Sequence, residues 1–451
     1  MGTAEQCDRP LVSTSLTEDV FYIILDHLQG DVSALSKCSV ICRAWLHPSR
    51  RHLFRALTVY HGFDALKNQR GLSAFVGFLR ACGDARRSLQ HLILCSELWR
   101  PQADVPDVDN TLPLVVDELF ALLDAGINIQ RLTLIDVSWT GNANWTAPLP
   151  RRVLKRLDIE EWIGSDQEVL DVLKLIGAFD RLELLSLSLF AERNYVEETT
   201  GLLDKYAEIG HFPSVCSFRY YTSPEWRGTP LYQLIKRSCC RDQDTLARIS
   251  FRIWDYADSW ERISEFCRFL CDTGVRSHVR ELEFDPSNGP TFWSQSTALP
   301  ADWGVFNLSR LDELAQLILA LDCEDVSYVS QGLPKELNAY AFILRTNPPP
   351  ALQSLAIKLR IPDTASEEPQ KSRLEAIQRA SHRPAWSAFD EALQALRTAP
   401  QVVIGCVNPR GDMIQCRNMD QWLEAVLPLT HARGRLRWAI SLKDIEFTDS
   451  E

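Results

Sequence analysis

The sequence predicts an α/β protein: a short helical module at the N-terminus, then a solenoid of strand–helix units on a curved parallel sheet. Two observations carry this expectation. Residues 15–58 show helical apolar spacing punctuated by cap residues. From residue 89 onward one short motif, apolar-x-x-apolar-x-apolar, recurs nine times with helical spacing between its copies. An absence narrows the choice. A doubly wound sheet uses the same elements but usually carries a Gly-rich phosphate turn at a strand–helix junction, and the chain has no G-x-G-x-x-G and no G-x-x-x-x-G-K.

In the N-terminal module, Ser15 and Glu18 fit a capping box for the first helix. Phe21, Ile24, Leu25 and Leu28 follow the i, i+3, i+4, i+7 pattern of a face turned to a core, with Val20 and Ile23 on its flank. Gly30 and Asp31 end that helix and cap a second one through Leu35 and Cys38. A third segment carries Val40, Cys42, Arg43 and Trp45, is interrupted at Pro48, and resumes its apolar rhythm at Leu53, Phe54 and Leu57. A module this short is marginal even with every apolar group inside, so the extra flank implies a docking partner.

These residues resemble an F-box. That family reads as Leu-Pro, an acid, Ile, turns of apolar helix, then Val-Cys-Arg-x-Trp and a closing Leu-Phe or Leu-Trp. The corresponding residues are Leu16, Glu18, Ile23, Ile24, Leu28, Leu35, Val40, Cys42, Arg43, Trp45, Leu53 and Phe54, with Thr17 standing where the family has proline. The resemblance implies a three-helix module that docks on a Skp-family adaptor, and through it on a cullin. The implied contact residues are Leu16, Val20, Ile23, Ile24, Leu28, Val40, Cys42, Arg43, Trp45, Leu53 and Phe54. The reading without the family is an N-terminal helical cap for the domain that follows.

The repeated motif runs Leu89/Leu92/Leu94, Ile129/Leu132/Leu134, Leu154/Leu157/Ile159, Leu182/Leu185/Leu187 and Val215/Phe218/Tyr220. It continues as Leu246/Ile249/Phe251, Val279/Leu282/Phe284, Leu314/Leu317/Leu319 and Leu352/Leu355/Ile357. Successive starts lie 25 to 40 residues apart, mostly longer and less regular than standard leucine-rich repeats, so the domain is leucine-rich-repeat-like. Residues 115–123, 169–176, 232–237, 263–271 and 337–344 carry helical spacing between strands. Near the end, 386–396 and 422–427 read as helices, each followed by a strand, 402–407 and 438–442. The expected plan is a tail over 1–14, the F-box-like module over 15–58, a connecting helical segment over 59–87, and one solenoid over 88–451. Long Pro-, Gly- and Asn-bearing loops fall at 99–110, 138–152, 285–304 and 363–384.

In a strand of this repeat the apolar positions point inward and the residues between them outward. The outward sets include Arg131, Thr133 and Ile135; Arg156, Asp158 and Glu160; Leu184, Ser186 and Ser188; Ser217, Arg219 and Tyr221; Arg248, Ser250 and Arg252; and Glu281, Glu283 and Asp285. Arg219, Tyr221, Arg248 and Arg252 are the candidate target-binding residues, a basic, aromatic patch for an acidic or phosphorylated segment. The competing reading pairs these arginines with Glu281, Glu283 and Asp285 one strand over.

Bulk composition limits the function classes. The chain has 451 residues, 45% hydrophobic and 24% charged, the proportions of a folded globular protein. A net charge of −12 argues against nucleic acid or an anionic membrane as main partner. No apolar run approaches a membrane span, and the opening MGTAEQCDRP lacks a signal-peptide core, so the expected compartment is cytoplasm or nucleus rather than secretory. The thirteen cysteines form no C-x-x-C, and Cys38/Cys42 and Cys267/Cys271 read as small apolar helix residues. The pairs Asp107/Asp109 and Asp242/Asp244 read as solvated loops, and most of the thirteen tryptophans as gap fillers. No catalytic, metal or cofactor motif is present, G-x-S-x-G included. The expectation is a non-catalytic receptor subunit of an SCF-type ubiquitin ligase, without cofactor, holding a protein target on its repeat domain. The alternative is an adaptor-bound scaffold without ubiquitin transfer.

Overall fold

The computed structural model describes residues 18–28, 31–61, 72–96, 113–115, 119, 122–123, 128–140, 153–163, 166–191, 212–222, 229–241, 246–253, 260–276, 278–285, 300–323, 326–361, 383–408, 413–414, 419–439, 441 and 444–445. Leu16, the capping-box Ser15, both Asp-x-Asp pairs and most of the long loops lie outside them. The chain divides after Thr133 into two compact units.

The first unit opens with α1 (Glu18–His27), α2 (Val32–Ile41) and α3 (Arg43–Leu53). Asp31 caps α2, its carboxylate accepting from Ala34 N at 2.8 Å. Cys42, extended at φ −161°, is the single hinge residue between α2 and α3. Sequence reading breaks the third segment at Pro48, yet α3 runs through it. Pro48 is buried, so packing offsets the hydrogen bond its missing N–H forgoes. A strand, β1 (Ala56–His61), follows directly where the sequence reading has helical rhythm. It pairs in parallel with β2 (His91–Ser96), Leu57 opposite Leu92 and Val59 opposite Leu94. Between them lie α4 (Leu72–Ala81) and α5 (Gly83–Ser88). After β3 (Pro113–Val115) comes β4 (Arg131–Ile135), in which the division between units falls. The amides of Gln130 and Arg131 bond to Gln90 O, and Thr133 Oγ1 lies 3.0 Å from His91 Nε2.

The second unit holds β5 (Ser138–Thr140), β6 (Val153–Ile163), β7 (Arg181–Ala191), β8 (Ser214–Thr222), β9 (Arg248–Ile253), β10 (Glu281–Asp285), β11 (Gln316–Asp322), β12 (Ser354–Arg360) and β13 (Gln401–Val407). From β6 to β13 every strand pairs in parallel with the next in sequence. The covering helices are α6 (Asp166–Gly177), α7 (Thr229–Arg241), α8 (Trp260–Leu270), α9 (Thr273–Arg276), α10 (Val326–Thr346) and α11 (Arg383–Ala395). Among the described residues between β10 and β11 are short 3₁₀ turns at Pro300–Val305 and Leu308–Arg310. This is the leucine-rich-repeat-like arrangement that the motif spacing predicts.

The reason is visible in the register. Leu157, Leu185, Phe218, Ile249, Leu282, Leu317, Leu355 and Val402 form one continuous inner row across eight strands. A second inner row runs Ile159, Leu187, Tyr220, Phe251, Phe284, Leu319, Ile357 and Ile404. Every position of the nine apolar triplets is buried. Aromatic stacking ties strands to helices: Phe251 lies 3.8 Å from Phe266 of α8, and Phe284 4.4 Å from Phe306. Trp303, Trp386 and Trp422 are buried, as gap filling requires.

The C-terminal end departs from the repeat. After β14 (Met413–Ile414), which pairs antiparallel to β13, come α12 (Met419–Val426) and α13 (Pro428–Ala432). Asp390 of α11 caps α13, accepting from the amides of Leu429 and Thr430. That clip delivers β15 (Leu436–Trp438) to the edge of β13, Val402 opposite Leu436. The strand expected at 438–442 therefore ends at Trp438.

Candidate functional site

Two surfaces qualify, and each is built within one unit. The first is on α1 and α2. Leu25 of α1 and Leu35 of α2 are buried, while Ile23 is 57% exposed, Val32 68%, Val40 81% and Ile41 64%. Leu35 is the buried residue of α2. Cys42 and Arg43 are exposed at the hinge, and Val20, Ile24, Leu28, Leu53 and Phe54 are half-buried. Trp45 turns inward: its ring meets Phe21 edge-on at 4.8 Å. Phe54 packs on Phe78 of α4 at 6.1 Å. Of the residues named from sequence, Ile23, Val40, Cys42 and Arg43 are thus on the surface. The exposure of Val32 and Ile41 is not read from the sequence; their apolar character beside Val40 on a helix with the single buried residue Leu35 is the available signal.

A polar clasp holds α3 to α5. Asp84 receives His47 at 3.0 Å and Arg87 at 3.0 Å, with Arg50 at 3.9 Å. Hydrogen bonds from Arg87 and His47 hold the Asp84 carboxyl below its ordinary range.

The second surface is the sheet face turned away from the helices. Its rows follow the same register as the core. One row reads Asp158, Ser186, Arg219, Ser250 and Glu283; the next reads Glu160, Ser188, Tyr221, Arg252 and Asp285. Arg219, Tyr221, Arg248 and Arg252 therefore come together on adjacent strands. They do not stand as bare charge. Arg248 pairs with Glu281 at 2.8 Å, and Arg252 lies 3.5 Å from Asp285 with its guanidinium 4.9 Å above the Tyr221 ring. Ser250 donates to Glu283 at 2.7 Å. Arg156 forks onto both oxygens of Asp158 at 2.8 Å.

Two further ion pairs step over β11. Lys358 bonds Glu283, and Arg360 bonds Asp285, across the β11 strand that carries Ile318 and Ala320. Burial pushes the Glu283 carboxyl up, but Lys358, Ser250 and Arg219 outweigh it and hold the group below its ordinary value. Glu281 is raised, burial outweighing Arg248.

At the other end of the face, Asp136 follows β4 beside Glu160 of β6. The Asp136 amide bonds Glu160 O at 2.9 Å, at a backbone φ of +50°. Burial raises both carboxyls, and the Asp136 charge raises Glu160 further.

Toward the C-terminus this face is closed. Ile318, Ala356, Val403 and Val407, all at outward positions, form a buried apolar cluster with Ala439 and Ile445, joined by Met413. Ala439 N bonds Ile404 O at 2.8 Å, and Asp444 clips the turn by accepting from Ser441 N at 2.9 Å and Arg437 at 2.8 Å. Strands β12 and β13 are consequently buried on both faces. The outward sets read from the sequence end at Glu281, Glu283 and Asp285 and do not extend to these strands. The run of Ala356, Val403 and Val407 is the signal that this part of the face is covered.

Among the described residues no group of three or more His, Cys, Asp or Glu side chains could hold a metal ion. No helix among them is long and apolar enough to cross a membrane. The described cysteines are free thiols, and Cys267 is fully buried, its thiol pushed well up by that burial. Compared with protein-family models and with curated proteins, the chain matches none.

Proposed function

We propose that this chain is the target-recognition subunit of an SCF-type ubiquitin ligase. Helices α1–α3 dock the Skp-family adaptor, which brings the cullin, and the parallel-sheet solenoid holds a protein target. The chain itself supplies proximity rather than catalytic groups. The observation that carries this reading is the exposure of the apolar side chains Ile23 on α1 and Val32, Val40 and Ile41 on α2, with Cys42 and Arg43 exposed at the hinge that follows. Four large aliphatic side chains left in solvent on two short helices are what an interface core requires. The Val-x-Cys-Arg-x-Trp match supplies the identity of the partner. The open sheet face, with Arg219 and Tyr221 among its residues, is the surface left for the target.

The test is co-purification of the tagged full-length chain from cells. Wild type should bring down the adaptor together with the cullin, and Ile23→Asp with Val40→Asp should lose both while keeping the wild-type melting temperature. Adaptor without cullin would identify a scaffold instead. Adaptor retained by the double variant would remove this surface.

A further inference from the structure

We propose that α4, with the arginines of α3 to α5, forms a further docking surface, and that its occupant is an acidic amphipathic helix of a partner protein. These residues are distinct from the exposed ones of α1 and α2, so the inference stands apart from the adaptor assignment.

Helix α4 turns one apolar side inward and another outward. Val76 and Leu79 are buried. Ala74, Gly77, Phe78 and Ala81, at i, i+3, i+4 and i+7, are all exposed, Phe78 by 42%. That stripe carries no polar side chain, whereas a surface helix ordinarily turns its charged residues to water. Phe78 continues it onto Phe54 and Phe75, whose rings lie 6.1 and 6.3 Å away. Gly77 has no positive φ, and a Cβ there would meet nothing within 4 Å. A glycine inside a helix is less favourable than alanine, and the chain's own packing gains nothing from this one. A partner helix laid on the stripe does gain, because a missing side chain lets the two axes approach closely.

The charge of the occupant follows from the residues around the stripe. Residues 43–61 and 72–91 hold seven arginines, and Asp84 is their one carboxylate. Arg50 and Arg87 share Asp84 with His47. Asp26, contributed by α1, faces His52. Arg51 donates to the Tyr22 hydroxyl, and Arg55 to Gln90. Arg43, Arg80 and Arg86 are exposed and make no ion pair with a described residue. The surplus here is therefore positive, on a chain whose net charge is −12. That overall charge opposes a nucleic acid, which also has no use for the apolar stripe. A protein helix with apolar residues on one side and carboxylates along its margins fits both features.

The experiment uses the full-length protein and a fluorescein-labelled amphipathic peptide, leucine and alanine on one helical face and glutamate on the other, read by anisotropy. The peptide should bind, and its counterpart with lysine in place of glutamate should not. Arg80→Gln with Arg86→Gln should weaken binding at least about tenfold, and Gly77→Leu should do the same by blocking the stripe. Leucine is the better helix former and its Cβ has open space, so Gly77→Leu should melt no lower than wild type. Arg310→Gln with Arg397→Gln, which removes the same charge elsewhere, should leave binding unchanged. Ile23→Asp with Val40→Asp should also bind normally, which keeps this test separate from the adaptor assignment. Failure of the glutamate peptide to bind, or undiminished binding in the Arg80/Arg86 or Gly77 variant, would overturn the proposal. Tighter binding of a single-stranded oligonucleotide would overturn it too and assign the arginines to a nucleic acid. A wild-type dimer in sedimentation that Gly77→Leu abolishes would overturn it in favour of a second copy of this chain.

Discussion

A Cβ at Gly405 would stand 2.8 Å from Ile445 Cδ1, closer than carbon atoms pack. Gly405 lies on the outward face of β13, and Ile445 belongs to the C-terminal segment folded over that face. The same Cβ would lie 2.9 Å from Ala439 Cβ, so two points of the closing segment rest on one missing side chain. Gly405→Ala should therefore cost about 1–3 kcal/mol by overpacking, and Gly405→Val more. Pairing it with Ile445→Ala should recover part of that loss. Urea unfolding of the single and double variants measures both, and simple additivity would show that the two positions are not in contact.

The exposed face of α1 and α2 should separate binding from folding. Ile23→Asp and Val40→Asp each remove apolar surface already in water, so stability should change by no more than about 0.5 kcal/mol. Trp45→Ala behaves differently because its ring packs on Phe21. It should cost about 2 kcal/mol of stability, and its adaptor affinity should fall only with the folded fraction. Thermal melts beside adaptor titrations distinguish the two classes.

Ion pairs on the sheet face should differ in worth according to burial. Arg248 and Glu281 remain partly in solvent, so a double-mutant cycle should give a coupling of about 0.2–1 kcal/mol. Lys358 and Glu283 are shielded, and Lys358→Ala leaves a buried carboxylate without its ammonium. That should cost about 3 kcal/mol or more, whereas replacing both by apolar residues of similar size should restore much of it. Equal penalties for the two pairs would contradict the assigned burial.

The pH dependence of stability should carry two opposite signs. Asp136 and Glu160 have raised carboxyl pKa values, so they bind protons more tightly folded than unfolded. Their stabilising contribution is full below the ordinary carboxylate value and is lost as pH rises through the raised one. Glu283 is lowered, so its contribution is present above the ordinary value and lost as pH falls through the lowered one. Asp136→Asn with Glu160→Gln should thus stabilise the protein at neutral pH and make no gain in acid. Glu283→Gln should destabilise at neutral pH, with a smaller penalty in acid. Unfolding measured at both pH values in each variant checks the signs.

How much of this was legible in the sequence depends on how local the signal is. The inner triplets were readable because alternation along a strand is set by two-residue geometry, whatever the strand pairs with. Ile23 and Val40 were readable for a similar reason, since a helix face repeats within a few residues. Pro48 misled because its packing, not its local propensity, keeps α3 continuous. Strand β1 was missed because its pairing partner lies beyond two intervening helices.

The sequence by itself determined the strand–helix repeat, the inward residues and the outward ones, because each follows from neighbours in the chain. The tertiary structure alone decided which outward residues meet solvent and which charges are matched. Lys358 reaches Glu283 across 75 residues of sequence, and Ile445 closes over Ile318 from the far end of the chain. Those relations depend on parallel register carried from strand to strand, and no local periodicity encodes it.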